Sequence, residues 1–304
     1  MHTEHLTKQY GDFVALSDLN LDVYRGEIFG YLGPNGAGKT TTIRTLLDLI
    51  RPTSGSATIL GMDIRRDSVK IHARVGYMPS EMGLYNNMTA RQYFRFLARA
   101  RRISAMDEVE RLAKRLDFDL DHSLEGLSTG NKRKVGLIAA LMHKPELLIL
   151  DEPTSGLDPL MQQTFNEMML EAKSEGCTIF LSSHYLNEVQ ALCDRVGILR
   201  HGKLKAVNTV DELTHLNVRW VIITFDDTPP VESFKKLKNV SNIQVQGNEL
   251  KFQVAGDMDE LVKLAANYTV HAFRTQEPTL EEVFLQFYGN HEAPTTGHTE
   301  EVMA

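Results

Sequence analysis

The segment Gly33-Pro34-Asn35-Gly36-Ala37-Gly38-Lys39-Thr40 constrains this chain more than any other. Its spacing, G-x-x-x-x-G-K-[ST], is that of a loop that wraps the phosphates of a nucleoside triphosphate. A polyphosphate has to be gripped by many short donors at close range. Glycines let the backbone bend so that successive N–H groups converge on the oxygens. A helix N-terminus behind the loop adds free N–H groups and a favourable dipole. Lys39 reaches the outer phosphates, the Thr40 hydroxyl is a ligand for Mg2+, and Thr41 leads into the helix. The flanks agree. Residues 27–32 read as a buried strand, and Thr41 to Ile50 as a helix with Ile43, Leu46, Leu47 and Ile50 apolar. Strand, glycine loop and helix together predict binding of ATP or GTP.

Residues 1–82 and 144–208 alternate short apolar strands with helices, the pattern of a parallel sheet covered on both faces. The strands expected are Gly55–Leu60, Arg74–Met78, Glu146–Leu150, Thr178–Leu181 and Arg195–Leu199. Between them, 83–143 reads as a wholly helical insert. Thr89-Ala90-Arg91-Gln92 is a capping box for a helix to about Arg102, and Ser104 is the expected cap of the next. After Asn208 the order becomes β-α-β-β-α-β, with a hairpin at Gly247-Asn248, which suggests a small ferredoxin-like domain over 209–289. Thr279-Leu280-Glu281-Glu282 would cap a last helix, and 290–304 is a polar tail expected to be disordered.

Composition narrows the function. A net charge of −7 over 304 residues argues against a general nucleic-acid binder. Two cysteines, Cys177 and Cys193, cannot form a framework of bridges; they read as small buried apolar residues in a reducing cytoplasm. The first residues lack the apolar core of a signal peptide. The longest apolar runs, such as Val135 to Met142, are too short to cross a bilayer. Any membrane role is therefore expected to come through a partner chain.

Three further pieces carry chemistry. The apolar run 147–150 ends in Asp151-Glu152, which puts two acids at the carboxyl edge of the sheet, where α/β proteins bind ligands. Asp151 would hold Mg2+, and Glu152 would polarise the attacking water. Leu127-Ser128-Thr129-Gly130-Asn131 opens a helix whose first turn is expected to hold Lys132, Arg133 and Lys134. The dipole disfavours each cation there by about 0.3 kcal/mol or more. Either an anion docks at that helix start or the turn is simply solvated. His184 follows strand Thr178–Leu181 at the same sheet edge, either facing the phosphates or sitting beside a helix cap. Tyr10 lies in an N-terminal β turn, where a tyrosine either packs or stacks on a base.

The set resembles the nucleotide-binding subunit of ATP-binding cassette (ABC) transporters over about residues 2–208. The matching pieces are Tyr10, Gly33–Thr41, Ser80, Leu127–Asn131, Leu150–Glu152, Ser155-Gly156-Leu157-Asp158 and His184. The stretch 277–284 is similar to the tail of cassette subunits from drug- and antibiotic-exporting systems. The resemblance implies an α/β P-loop NTPase cassette (1–208) with a helical subdomain (83–143) and a small α+β C-terminal domain. It implies an ATPase that energises a separate integral membrane permease at the cytoplasmic face of the membrane, with ATP and Mg2+ bound between paired cassettes. Tyr10 would then stack on adenine. Ser128 and the Gly130 amide would contact the γ-phosphate of ATP held by the other subunit, and Asp158 would link the two sites. His184 would bond the γ-phosphate and align Glu152 with water. A regulatory or resistance module that binds ATP, and a soluble cassette ATPase without a transport role, remain open alternatives. Two departures stand out. Ser80 occupies the position where the family carries a metal-facing Gln, and its side chain is two carbons shorter. Thr129 and Asn131 replace the first Gly and the Gln of the LSGGQ-type signature.

Overall fold

The computed structural model describes residues 1–85, 87–214 and 218–276. These form two compact units, one from Met1 to Val210 and one from Asp211 onward. The predicted cap at Thr279, the stretch 277–284 and the tail 290–304 lie outside the described residues.

The first unit runs β1 (His2–Tyr10), β2 (Phe13–Asp22), β3 (Ile28–Leu32), α1 (Lys39–Leu46), β4 (Ser54–Ile59), β5 (Met62–Asp63), α2 (Ser68–Arg74) and β6 (Val75–Met78). It continues with α3 (Ala90–Arg101), α4 (Met106–Arg115), α5 (Thr129–Leu141), β7 (Leu147–Asp151), α6 (Pro159–Ser174), β8 (Thr178–Ser183), α7 (Leu186–Leu192), β9 (Arg195–Arg200) and β10 (Lys203–Thr209); α8 (Val210–Thr214) follows. Six strands form one sheet in the order β10-β9-β3-β8-β7-β6. All its pairs are parallel except β9 with β10. Strands β3, β7 and β8 are buried at every position, as a sheet covered on both faces requires.

The strand expected at Gly55–Leu60 is present as β4, but it does not join the parallel sheet. It belongs to a separate antiparallel sheet, β2-β1-β4-β5. The reason is that β4 has only one apolar face: Ala57 and Ile59 are buried while Ser54 to Ser56 are exposed. A half-buried strand of this kind suits an antiparallel sheet with a wet side. Helix α1 lies in the core between the two sheets. Ile43 and Leu46 pack with Leu6 and Leu19 of the antiparallel sheet and with Phe29, Ile149 and Phe180 of the parallel one. Phe29 and Phe180 stack with centroids 5.9 Å apart. Each fully buried aliphatic or aromatic side chain there stabilises the fold by roughly 2 kcal/mol.

Between β6 and β7 the described residues form helices, with one isolated bridge from Thr89 to Ser123. The capping box is as expected: Thr89 Oγ1 accepts from Gln92 N, and Gln92 Oε1 accepts from Thr89 N. Ser104 is not the next cap. Helix α4 starts one residue later than that reading requires, from Ala105, with Asp107 and Glu108 in its first turn to meet the dipole. The cations of α5 are also one turn further in than expected. Ser128 caps the helix by accepting from Asn131 N, so Lys132, Arg133 and Lys134 fall in the second turn. Two of them are already used by protein: Arg133 donates to Pro79 O and Lys134 to Asp117 O. Those two cations are therefore accounted for without an anion, and crowding alone is no argument for one.

The second unit contains β11 (Val218–Phe225), α9 (Val231–Phe234), β12 (Val240–Gln246), β13 (Glu249–Ala255), α10 (Asp259–Ala265) and β14 (Val270–Gln276). Its sheet order, β12-β13-β11-β14 with antiparallel pairs throughout, is ferredoxin-like. Alternate residues Val221, Ile223 and Phe225 face Phe234 and Leu261 from the helices. Gly247, at φ 60°, makes the two-residue turn between Gln246 and Glu249.

Candidate functional site

Strand β3 ends at the carboxyl edge of the parallel sheet, and the loop that follows is threaded through a narrow gap. A Cβ on Gly33 would lie 2.4 Å from Leu199 O, and one on Gly38 would lie 2.5 Å from Ala15 O. Gly38 also has φ 109°, a conformation in which side chains are strained. Pro34, Asn35 and Gly36 form the exposed tip, while Ala37 is buried and its carbonyl accepts from Gly202 N. Gly38 is the N-cap of α1, and no side chain caps that helix. The first-turn N–H groups, through Thr41, are thus left to a ligand that accepts hydrogen bonds.

Lys39 is 5% exposed and curls back over the loop. Its Nζ donates to Gly33 O at 2.6 Å and Pro34 O at 3.2 Å, and lies 3.0 Å from Glu152 Oε1. The next side chain, Thr40, donates to Asp151 Oδ2 at 2.8 Å. Asp151 is fully buried at the end of β7, and its other oxygen accepts from Ser182 Oγ at 2.6 Å. Glu152 sits at φ 53°. Its N–H donates to Ser182 O and Ser182 Oγ, at 3.2 and 3.1 Å. Its second carboxylate oxygen meets His184 Nδ1. Lys39, Thr40, Asp151, Glu152 and His184 are thereby brought together at one sheet edge.

The remaining candidates lie elsewhere. Tyr10 is 48% exposed at the β1–β2 turn, paired in register with Phe13 and covered on one ring face by Lys8 Nζ at 4.7 Å. Ser80 is half-buried, two residues past the Met78–Leu150 pair that ends the β6–β7 register. Ser128 and Thr129 are exposed at the start of α5. Gly130 has nothing closer to a would-be Cβ than Gly156 O at 3.8 Å. Asp158 is exposed and caps α6, accepting from Met161 N at 2.9 Å. None of Ser128, Gly130 and Asp158 is bonded to the phosphate loop among the described residues.

Comparison with known proteins decides the family. Over 95% of its length the chain is 33% identical to the linearmycin resistance ATP-binding protein of Bacillus subtilis, covering 98% of that protein. The chain belongs to the ATP-binding cassette (ABC) transporter family. The ABC transporter family model matches residues 16–155, and a model for the C-terminal domain of DrrA1-3-like ATP-binding proteins matches 211–288. The bacitracin transport ATP-binding protein of Bacillus licheniformis is 35% identical over 94% of this chain and 96% of its own. Among solved structures, an ATP-binding subunit of an ABC transporter is 33% identical, with TM-score 0.65 over 70% of this chain and 90% of that one. A dimeric cassette in a post-hydrolysis state with ADP and Pi, 22% identical, shares the fold with TM-score 0.63 over 69% of this chain and 98% of that one. The protein is thus an ABC ATPase, binding and hydrolysing ATP.

Magnesium suits the ABC site on chemical grounds. The Thr40 hydroxyl and the buried Asp151 carboxylate are hard oxygens 2.8 Å apart. Mg2+ typically takes one or two such ligands and fills its octahedron with water and phosphate oxygens. The described residues contain no cluster of three or more His, Cys, Asp or Glu that would cage an ion with protein alone.

Sequence reasoning missed three residues of this ABC site. Ser182 holds both acids, and its signal was present: a polar residue at the end of an apolar strand whose limit was set at Leu181. Arg133 is buried, and burial lowers its pKa against the raising pull of Asp151 and Glu152. Glu188 binds Thr154 and Ser183. The two cysteines are buried, and burial pushes the Cys177 thiol up to about 11. Both are therefore poor nucleophiles.

Ser80 offers a direct test in this ABC protein. Pro79, just before it, is pinned by Arg133, which holds the loop in place, and no hydrogen bond joins Ser80 to Thr40 or Asp151 among the described residues. Ser80→Gln extends an amide oxygen toward them and is expected to raise kcat for ATP, by up to about tenfold. A loss of similar size in a phosphate-release assay would show that the serine is tuned to this chain.

Proposed function

We propose that two copies of this chain, or one copy and a second cassette, clasp ATP at their seam and drive a separate membrane permease that exports a drug, antibiotic or lipid-like compound. The observation that carries this reading is an incomplete site. Lys39, Thr40, Asp151, Glu152 and His184 gather at one edge, while Ser128 is exposed, Gly130 is half-buried, and neither is bonded to any of them among the described residues. A γ-phosphate held by one copy then takes its remaining donors from the Ser128 hydroxyl and Gly130 amide of the other. Asp158, exposed at the head of α6, would lie on the same seam.

Within a site the roles divide as follows. Tyr10 stacks on adenine, its free ring face opposite Lys8. The loop from Gly33 to Thr41 holds the phosphates. Thr40 and Asp151 would hold Mg2+, which would offset charge on the phosphate oxygens; Ser80, two residues past β6, stands at the family's metal-facing position. Glu152 accepts a proton from the attacking water, and His184 keeps that carboxylate and the γ-phosphate in line. Most of the rate acceleration comes from positioning and charge stabilisation. Binding closes the pair and hydrolysis opens it, which gives a permease two states to follow.

The names of the relatives, a linearmycin resistance protein and a bacitracin transport protein, support export as the direction of work. No helix among the described residues is long and apolar enough to cross a membrane, so the span is assigned to a partner chain. Phe96 of α3 and Tyr85 are exposed and in edge contact at 5.9 Å, an apolar spot suited to a protein partner at the cytoplasmic membrane face. Specific ATPase activity is expected to fall on dilution, as pairs separate. Strict proportionality between rate and enzyme dose down to nanomolar protein would overturn the paired site, and failure to move cargo in vesicles holding the permease would overturn the transport role.

A further inference from the structure

We infer that Glu188 is a positioning residue that keeps His184 aimed at Glu152, by tying together the two loops that carry them. Glu188 lies on α7 and is half-buried. One carboxylate oxygen accepts from Ser183 Oγ at 2.7 Å, and the other accepts from Thr154 Oγ1. Ser183 immediately precedes His184, and Thr154 follows Glu152 by two residues. Both hydroxyls are nearly inaccessible, with Ser183 at 1% and Thr154 at 3% exposure. Hydrogen bonds to an ionised acceptor are stronger than neutral ones. Without Glu188, Ser183 Oγ would fall back on Tyr185 O at 3.2 Å, while the buried Thr154 hydroxyl would lose its acceptor, which is costly. One side chain thus anchors both sides of the Glu152–His184 contact.

The local bonding explains why the anchor matters. Ser183 Oγ also accepts from Tyr185 N at 2.9 Å, closing a turn around His184. The imidazole is 27% exposed, and Glu152 is its hydrogen-bond partner among the described residues. Its ring also lies against Tyr185, with centroids 3.9 Å apart, so its aim depends on the path of the 183–185 turn, which the Ser183–Glu188 bond ties to α7. On the other side, Thr154 O accepts from Leu157 N at 3.0 Å and Glu152 O from Ser155 N at 3.4 Å, so the turn leading toward Asp158 is organised around Thr154. Gly156 in that turn is backed by Thr129, whose Cγ2 would lie 3.3 Å from a Cβ there. Glu188 consequently links the turn that ends at the seam residue Asp158 to the loop of His184.

This inference rests on the roles proposed above for Glu152 and His184, and a double-mutant cycle separates the two levels. In the full chain, Glu188→Ala is expected to lower kcat for ATP by about 10- to 100-fold, the scale of a misplaced catalytic group, with KM changed less than about threefold. Glu188→Gln, which keeps an acceptor, should recover most of that loss. Combined with His184→Ala, Glu188→Ala should add no further loss. Thr154→Val removes one leg of the bridge with little change of shape, so it should show a smaller loss that also vanishes in the His184→Ala background, even if Glu188→Ala folds poorly. A Glu188→Ala kcat within twofold of wild type, or an equal fractional loss with and without His184, overturns the positioning role alone. A His184→Ala variant with wild-type kcat overturns the reading of His184 and the positioning role with it.

Discussion

Glu152→Gln is expected to lower kcat by about three orders of magnitude, the scale of a lost general base, while ATP binding is retained and an ATP-bound pair accumulates. The substitution keeps shape and removes charge. The backbone at residue 152 sits at φ 53°, a conformation that costs about 1 kcal/mol for a non-glycine residue. Its N–H is held by both the carbonyl and hydroxyl oxygens of Ser182, and neither bond involves the Glu152 side chain. The loop should therefore keep its path. The anion facing Lys39 at 3.0 Å disappears, which leaves Lys39 freer to meet phosphate, so affinity for ATP is expected to hold or rise. On the proposed roles, the attacking water would then lack its proton acceptor and the clasped pair would stay closed. Phosphate release, ATP affinity and size-exclusion with saturating ATP check the three parts. Residual turnover above a tenth of wild type would remove Glu152 from the base role, and a strictly monomeric profile with ATP would count against the clasped pair.

The residues of this site differ in how far sequence could reveal them. The phosphate loop was legible because its chemistry is contiguous: glycines, lysine and threonine act within one turn of chain. Asp151 and Glu152 were legible because a buried strand can end in acids at the ligand edge of a sheet and scarcely anywhere else. The capping box at Thr89 and the turn at Gly247 were equally local. Errors began where the deciding partner is far along the chain. Strand β4 reads like any short apolar strand, and only its pairing with β1 assigns it to the antiparallel sheet. Arg133 looked like a member of a basic turn. Its burial depends on Pro79 O, 54 residues away. Glu188 looked like an ordinary acid in a helix's first turn, and its bond to Thr154 spans 34 residues. Side chains that hold other side chains leave little periodic trace, so sequence tends to give the groups that meet the ligand before the groups that aim them.

Lys39→Met should remove ATP binding and weaken the fold together, and the two losses have separable causes. Three partners use the ammonium: Gly33 O, Pro34 O and the Glu152 carboxylate. Hydrogen bonds to a charged group contribute about 1.5–3 kcal/mol each, so losing the cation from a bound triphosphate should weaken affinity by about 100-fold or more and take turnover below detection. In the free protein, methionine fills the same space but strands Glu152, whose side chain is 14% exposed, with His184 as its remaining close partner. Breaking a largely buried ion pair from one side typically costs about 3 kcal/mol. The stability loss should therefore be partly recovered in Lys39→Met/Glu152→Gln, where no carboxylate is left uncompensated, whereas ATP affinity should not recover at all. Denaturant midpoints for the two single variants and the double variant measure the first part, and nucleotide titration measures the second. If the double variant is as unstable as the sum of the singles, the ion pair is not what the lysine stabilises, and the two loop carbonyls must account for the loss.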